Sequence, residues 1–120
     1  MMWAIEYTDE FGGWWDGLRE SEQDALVASI GLLEELGPNL GRPHADHIKA
    51  SKHTNMKELR TQVGGEPLRT FFVFDPRRTA ILLIGGNKGG DDRFYDRMIP
   101  IADRLYDIHL RELAQEGLQP

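Results

Sequence analysis

Two arginines flank a diglycine near the middle of this 120-residue chain: Lys57-Glu58-Leu59-Arg60-Thr61-Gln62-Val63, then Gly64-Gly65, then Glu66-Pro67-Leu68-Arg69. Gly-Gly between two extended, partly apolar segments is a two-residue hairpin signal, because the favoured turns need positive φ. With Val63 opposite Glu66, the register puts Arg60 directly across from Arg69. Like charges opposed on one sheet face repel. The pair therefore calls for water, for a bridging anion, or for a carboxylate such as Glu58 or Glu66. Guanidinium groups match phosphate bidentately, so an anion site is the sharper reading. Leu59, Val63, Leu68 and Phe72 line the other face of the ribbon. The arginines are then expected to point away from the helices, onto an open sheet surface.

Two more groups belong to this chemistry. Lys88 lies in the glycine-rich run 85–90, whose backbone N–H groups can approach an anion closely. The run is not a Walker A loop, since no Ser or Thr follows the lysine. Tyr95 stands in the first turn of the next helix and can reach the same face. His53 precedes the first basic strand, and imidazole is the side-chain type suited to general-base work near neutral pH. His44 and His47 find no third ligand at a recognised spacing, so neither a metal nor a cofactor is expected. The chain has no cysteine, which excludes a thiol nucleophile, a disulfide framework and Cys-based zinc. A G-x-S-x-G elbow is also missing.

The elements that must position these groups follow from periodicity. Residues 3–7 alternate weakly as a strand. Thr8 or Asp9 caps a helix whose stripe is Phe11, Trp14, Trp15 and Leu18. Ser21 to Asp24 has capping-box spacing ahead of Leu26, Val27, Ile30, Leu33 and Leu36, and Gly37-Pro38 ends that second helix. Residues 38–55 show no period and read as a long loop carrying Arg42, His44, His47, Lys49, Lys52 and His53. Strands follow over 56–63, 66–75 and 79–85, the last a continuous apolar run that reads as buried on both faces. A turn at Pro76-Arg77-Arg78 joins the second to the third. Asp91 or Asp92 caps a last helix with the stripe Phe94, Met98, Ile101, Leu105 and Ile108, and Pro100 predicts a kink or break near 97–99. Residues 115–120 are expected to fray. The result is one α+β domain over residues 1–120: an N-terminal strand, a helical hairpin, a three-stranded antiparallel sheet and a C-terminal helix, with the helices on one side.

Charge is uneven along the chain. The net is −6, yet residues 42–90 hold nine bases and four acids, between acidic segments on either side. A basic middle favours an anion-binding face, while the acidic total counts against indiscriminate nucleic-acid binding. No apolar run approaches the ~20 residues of a membrane span, and the N-terminus has neither a basic nor an apolar leader region. A cytoplasmic location is expected.

Leu40-Gly41-Arg42-Pro43, Ser51-Lys52-His53, Met56-Lys57-Glu58-Leu59-Arg60, Leu68 to Pro76, Ala80 to Lys88, Phe94-Tyr95 and Ile101-Ala102-Asp103 occur in that order. Together they resemble the RelE/ParE superfamily of type II toxin–antitoxin toxins, and within it the HigB-like, phage Gp49-like branch. The resemblance covers roughly residues 3–110. It implies a cognate antitoxin as partner, in a toxin–antitoxin hetero-oligomer, and a metal-independent endoribonuclease that cuts mRNA on the ribosome by 2′-OH attack on the adjacent phosphate. It also implies catalytic roles for Arg60, Arg69, Lys88 and Tyr95, with Lys52, His53, Lys57 and Arg77 as RNA-phosphate contacts. Tyr95, Lys57 or His53 would carry protons. The chain departs from RelE toxins in having Glu58 where they have lysine, and in its acidic total. ParE-like members of the superfamily instead bind DNA gyrase without catalysis, and an inactive homologue kept as a binding partner is the third expectation.

Overall fold

The computed structural model describes residues 2–117. Strand β1 (Ile5–Tyr7) leads into α1 (Asp9–Asp16) and α2 (Glu20–Leu36). A 3-10 turn at Gly37–Asn39 is followed by β2 (Ala45–His47), β3 (Lys57–Val63), β4 (Glu66–Phe74), β5 (Ala80–Asn87) and α3 (Phe94–Gln115). The fold is α+β, with a five-stranded sheet in the order β1-β5-β4-β3-β2.

The antiparallel β3-β4-β5 core is the expected one, with a short strand added at each edge. β1 lies parallel to β5, so the sheet is mixed. β2 arises inside the stretch expected to be loop, where Ala45–His47 pair with Leu59–Lys57. Three residues are too few to show a period; their strand conformation comes from the edge they dock on.

The helices cover both faces of the sheet, not one. The hairpin α1–α2 buries Phe11, Leu26 and Leu33 against Leu59, Phe72 and Leu82. Helix α3 buries Phe94, Met98 and Leu105 against Phe71, Val73, Ile81 and Leu83 on the opposite face. β4 is consequently buried without interruption from Leu68 to Val73. A bulge between Phe71 and Phe72 lets β5 carry one extra residue, Leu83, toward α3.

Several local expectations shift. Thr8 is the cap of α1, its hydroxyl accepting from the Phe11 N–H at 3.0 Å. α2 begins before Ser21, because Glu22 accepts from the Arg19 N–H at 2.9 Å and so closes the first turn there. On α2, Val27 and Leu36 are exposed although they fit the helical period, and on α3 Ile108 is too, its place in the core taken by Ile99, Ala102 and Tyr106. α3 runs on through Pro100. That residue sits in the second turn, where its missing N–H removes one bond and leaves the assigned helix whole. Asp91 caps the turn ahead of α3, accepting from the Arg93 N–H at 3.1 Å and pairing with Arg97 at 2.7 Å. Of the tail expected to fray, Gln115 is still helical, and residues 118–120 lie outside the described residues.

Candidate functional site

Gly64 and Gly65 both adopt positive φ, 55° and 80°, so the hairpin closes with a two-residue turn. Val63 faces Glu66 and Arg60 faces Arg69, as the spacing predicts. On its other side Arg69 is paired with Gly86 of β5. A Cβ at Gly86 would come within 2.9 Å of the Phe94 ring, and one at Gly85 within 2.2 Å of Trp14. These two glycines lie in β5 and make room for aromatic packing on opposite faces, rather than forming a phosphate cradle. The turn that remains carries Lys88, whose N–H donates to the Pro67 carbonyl at 3.0 Å. Asn87 ties the same turn to the hairpin through Glu66 at 2.7 Å.

The arginine pair does not face an open surface. It points to the α3 face beside the start of that helix, and Glu58 stands between the two guanidinium groups. Glu58 is 3% exposed. Its Oε2 accepts from Arg60 Nε at 3.1 Å, and its Oε1 lies 3.7 Å from Arg69 Nε. The Tyr95 hydroxyl donates to the same Oε1 at 2.7 Å. Lys88 Nζ sits 5.9 Å from the centre of the Tyr95 ring, within cation–π range. Outward from Glu58 the chain of charge continues: Arg60 reaches Asp46 at 3.3 Å, and Asp46 accepts from Arg42 at 2.8 Å. The Arg42 hydrogen bond holds the Asp46 carboxyl below its usual range.

Two of these groups have unusual surroundings. Arg69 is 9% exposed, donates from Nη1 to the Leu68 carbonyl at 3.0 Å, and keeps a buried Nε with no hydrogen-bond partner among the described residues. Burying a guanidinium donor without an acceptor costs on the order of 1–3 kcal/mol. The Tyr95 phenol is pushed above the ordinary tyrosine range, first by burial and then by the Glu58 carboxylate, with Arg69 pulling the other way. Phe71 and Phe94 wall it in edge-on, at 6.2 and 5.2 Å between ring centres.

Arg60, Arg69, Lys88 and Tyr95 are therefore brought together; Lys52, His53, Lys57 and Arg77 are not part of the cluster. Lys57 alternates to the α2 face and donates to the Pro38 carbonyl at 3.3 Å. Lys52 and His53 both pair with Asp107 on α3, His53 at 2.8 Å. Arg77 lies past the other end of β4, bonded to Asp75 and Glu6; the six residues from Arg69 to Asp75 span about 20 Å of extended chain. Glu58 and Asp46 are the site residues that the spacing of basic groups does not reveal. Glu58 carried a signal, since it lies two residues before Arg60 on the same strand face; Asp46 depends on β2, which has no period to read.

A family model described as phage-derived protein Gp49-like matches residues 13–107. The chain belongs to this family. The Mycobacterium tuberculosis protein named toxin HigB3 is 47% identical over 92 residues, which cover 76% of this chain and 79% of that one. Toxin HigB2 of the same organism is 41% identical over 112 residues, 92% of this chain. The match spans only 55% of the HigB2 length. Among solved structures, free E. coli toxin RelE, as a double mutant, superposes with a TM-score of 0.57 at 8% identity, over 82% of this chain and 96% of that one. The RelE of the Pyrococcus horikoshii RelE–RelB complex gives 0.54 at 14% identity, over 75% and 99%. The fold of this Gp49-like, HigB-like chain is thus the RelE fold.

Proposed function

We propose that this chain is the toxin of a toxin–antitoxin pair and that it cuts mRNA on the ribosome without a metal. The observation that carries this reading is the convergence of Arg60, Arg69, Lys88 and Tyr95 around the buried Glu58. A pentavalent phosphate spreads negative charge over its oxygens, and fixed cationic donors stabilise it most where water is excluded. Arg60 and Arg69 receive the scissile phosphate, and Lys88 adds charge from the turn after β5. Glu58 accepts the proton of the ribose 2′-OH as that oxygen bonds to phosphorus. Tyr95 gives its proton to the departing 5′-oxygen as the P–O bond breaks. The products are a 2′,3′-cyclic phosphate and a 5′-hydroxyl. The proton on Glu58 then returns to Tyr95 along the hydrogen bond they share, which restores both groups. The proton work thus falls to Glu58 and Tyr95 instead of His53 or Lys57.

The similarity to proteins named HigB toxins, and to a RelE solved with RelB, supports an antitoxin as partner in the cytoplasm. Among the described residues, no helix is long and apolar enough to cross a membrane.

The test is induced expression with mapping of mRNA 5′ ends, wild type against Arg69→Ala. New ends inside translated codons should appear with the wild type and fall ~10²–10³-fold in the folded variant, the usual loss when one such donor is removed. Growth arrest without new ends would sink the nuclease reading and point to a protein target such as gyrase. Neither arrest nor cuts would point to an inactive homologue.

A further inference from the structure

β1 forms one edge of the sheet, with β5 on one side and no described strand on the other. Two bonds bracket its ladder to β5. The Ala80 N–H donates to the Ala4 carbonyl at 3.0 Å, and the Thr8 N–H donates to the Leu82 carbonyl at 3.1 Å. In a parallel ladder, alternate residues turn both backbone groups toward the partner strand. Glu6 therefore faces β5, while Ile5 and Tyr7 turn their N–H and C=O groups outward, where no described residue bonds them. Tyr7 is 67% exposed. A cavity opens on each side of this edge, and the two differ in chemistry. On the α1–α2 face, about 820 Å³ is bounded by Ile5, Phe11, Trp15 and Ile30. On the α3 face, about 500 Å³ is lined by Leu105 and Ile108 together with Glu10, Glu112 and Glu116. Those three carboxylates are exposed, and none is paired with a base among the described residues.

We infer that the β1 edge takes up an extended segment of another protein, one whose side chains alternate apolar and basic. Such a segment pairs its backbone with Ile5 and Tyr7 and adds a strand to the sheet. Successive side chains of an added strand fall on opposite faces. Those on the α1–α2 face enter the apolar cavity. Those on the α3 face lay methylene stems over Leu105 and Ile108 and bring their charge to Glu112 and Glu116. Charge selects the occupant. A second copy of this chain would bring its own Glu6 and Glu10 to the same face, and like charges repel. Nucleic acid is repelled in the same way. β1 stands three strands from β3, about 14 Å across the sheet, so occupation of this edge does not depend on the RNA reading of the arginine cluster.

The test is titration of the purified chain with three end-capped synthetic peptides. One alternates valine and lysine, one alternates valine and glutamate, and one gathers the valines and lysines of the first into two separate runs. Calorimetry reads affinity, and amide hydrogen exchange by NMR reads backbone pairing. The alternating lysine peptide should bind at least tenfold more tightly than either control and slow exchange of the Ile5 and Tyr7 amides at least tenfold. Glu112 and Glu116 are exposed on α3, so Glu112→Lys with Glu116→Lys should fold and cut that preference at least fivefold. Tyr7→Pro removes one outward N–H and leaves the bonds to β5 in place, so it should weaken binding to a similar extent. Equal binding of the two lysine peptides would overturn the added strand and leave charge attraction alone. Binding that leaves Ile5 and Tyr7 exchange unchanged would overturn it too, as would a preference that survives the double charge reversal or a failure of every peptide to bind. Protection of those two amides that rises with the concentration of the chain alone would assign the edge to a second copy instead.

Discussion

Glu58 gives the cluster its character at the scale of single residues. Three cations crowded together with no counter-charge would repel and draw in any polyanion. A buried carboxylate between the two arginines neutralises part of that charge and fixes both guanidiniums by hydrogen bonds. If Glu58 also takes the 2′-OH proton, Glu58→Gln should slow single-turnover cutting on programmed ribosomes by ~10²–10⁴-fold, while phosphate affinity holds or rises. An unchanged rate would reduce Glu58 to a spacer between arginines. Tyr95 carries a prediction in pH. A phenol raised above its ordinary value of about 10 remains a protonated donor to higher pH. Cutting should therefore show no alkaline decline between pH 8 and pH 10 that is lost in Tyr95→Phe. A decline centred below 10 and specific to the wild type would contradict the donor role.

Among the elements, the hairpin and the strand run at 79–85 were legible because their signals are local. A diglycine turn and strand alternation together suffice to place Arg60 opposite Arg69. The same apolar run already demanded cover on both faces, and so did Phe71-Phe72-Val73, where consecutive buried residues must point in opposite directions. Helices on one side could not have met that demand. A helical stripe says that a helix has a buried side, not which sheet face it buries, so α3's position had to come from the strands. β2 was not legible, since its pairing with β3 is its whole cause. The glycines of β5 show a further limit: a permissive residue reads equally as a loop or as a gap for a neighbour. Gly85→Ala would drive a methyl into the Trp14 ring. We expect a loss of about 1–3 kcal/mol by denaturant unfolding, the range for overpacking a filled site. A neutral result would mean that α1 slides easily on the sheet.

Across the whole molecule, α3 joins two polar centres at opposite ends of β4. Its first turn supplies Tyr95 to the arginine cluster, and its later turns supply His109 to Asp75 at 2.8 Å. Asp75 is 3% exposed. Burial pushes its carboxyl up, but hydrogen bonds from His109, Arg77 and the Thr79 N–H outweigh that and hold it below the usual carboxylate range. A carboxyl depressed in the folded chain adds stability that is fully present above its unfolded pKa of about 4 and is lost as pH falls through the lower folded value. Asp75→Asn should therefore destabilise the chain at pH 7, by about 1–3 kcal/mol for the buried hydrogen bonds it weakens, and narrow the gap between thermal midpoints at pH 7 and pH 3. An unchanged gap would show that acid unfolding starts elsewhere.

The two-residue turn at Gly64-Gly65 means that the cluster is encoded partly in a length. Strand faces alternate with period two, so one residue more between Val63 and Glu66 would offset every cross-strand partner by one. Arg69 would then lie opposite Leu59 or Thr61 and turn with that residue to the α2 face, and Glu58 could no longer stand between two guanidiniums. Each residue of the cluster would still be in the chain, and the composition and charge would hardly differ. Deletions and insertions at this tip are thus a different kind of change from substitutions: they alter which side chains meet while leaving all of them present.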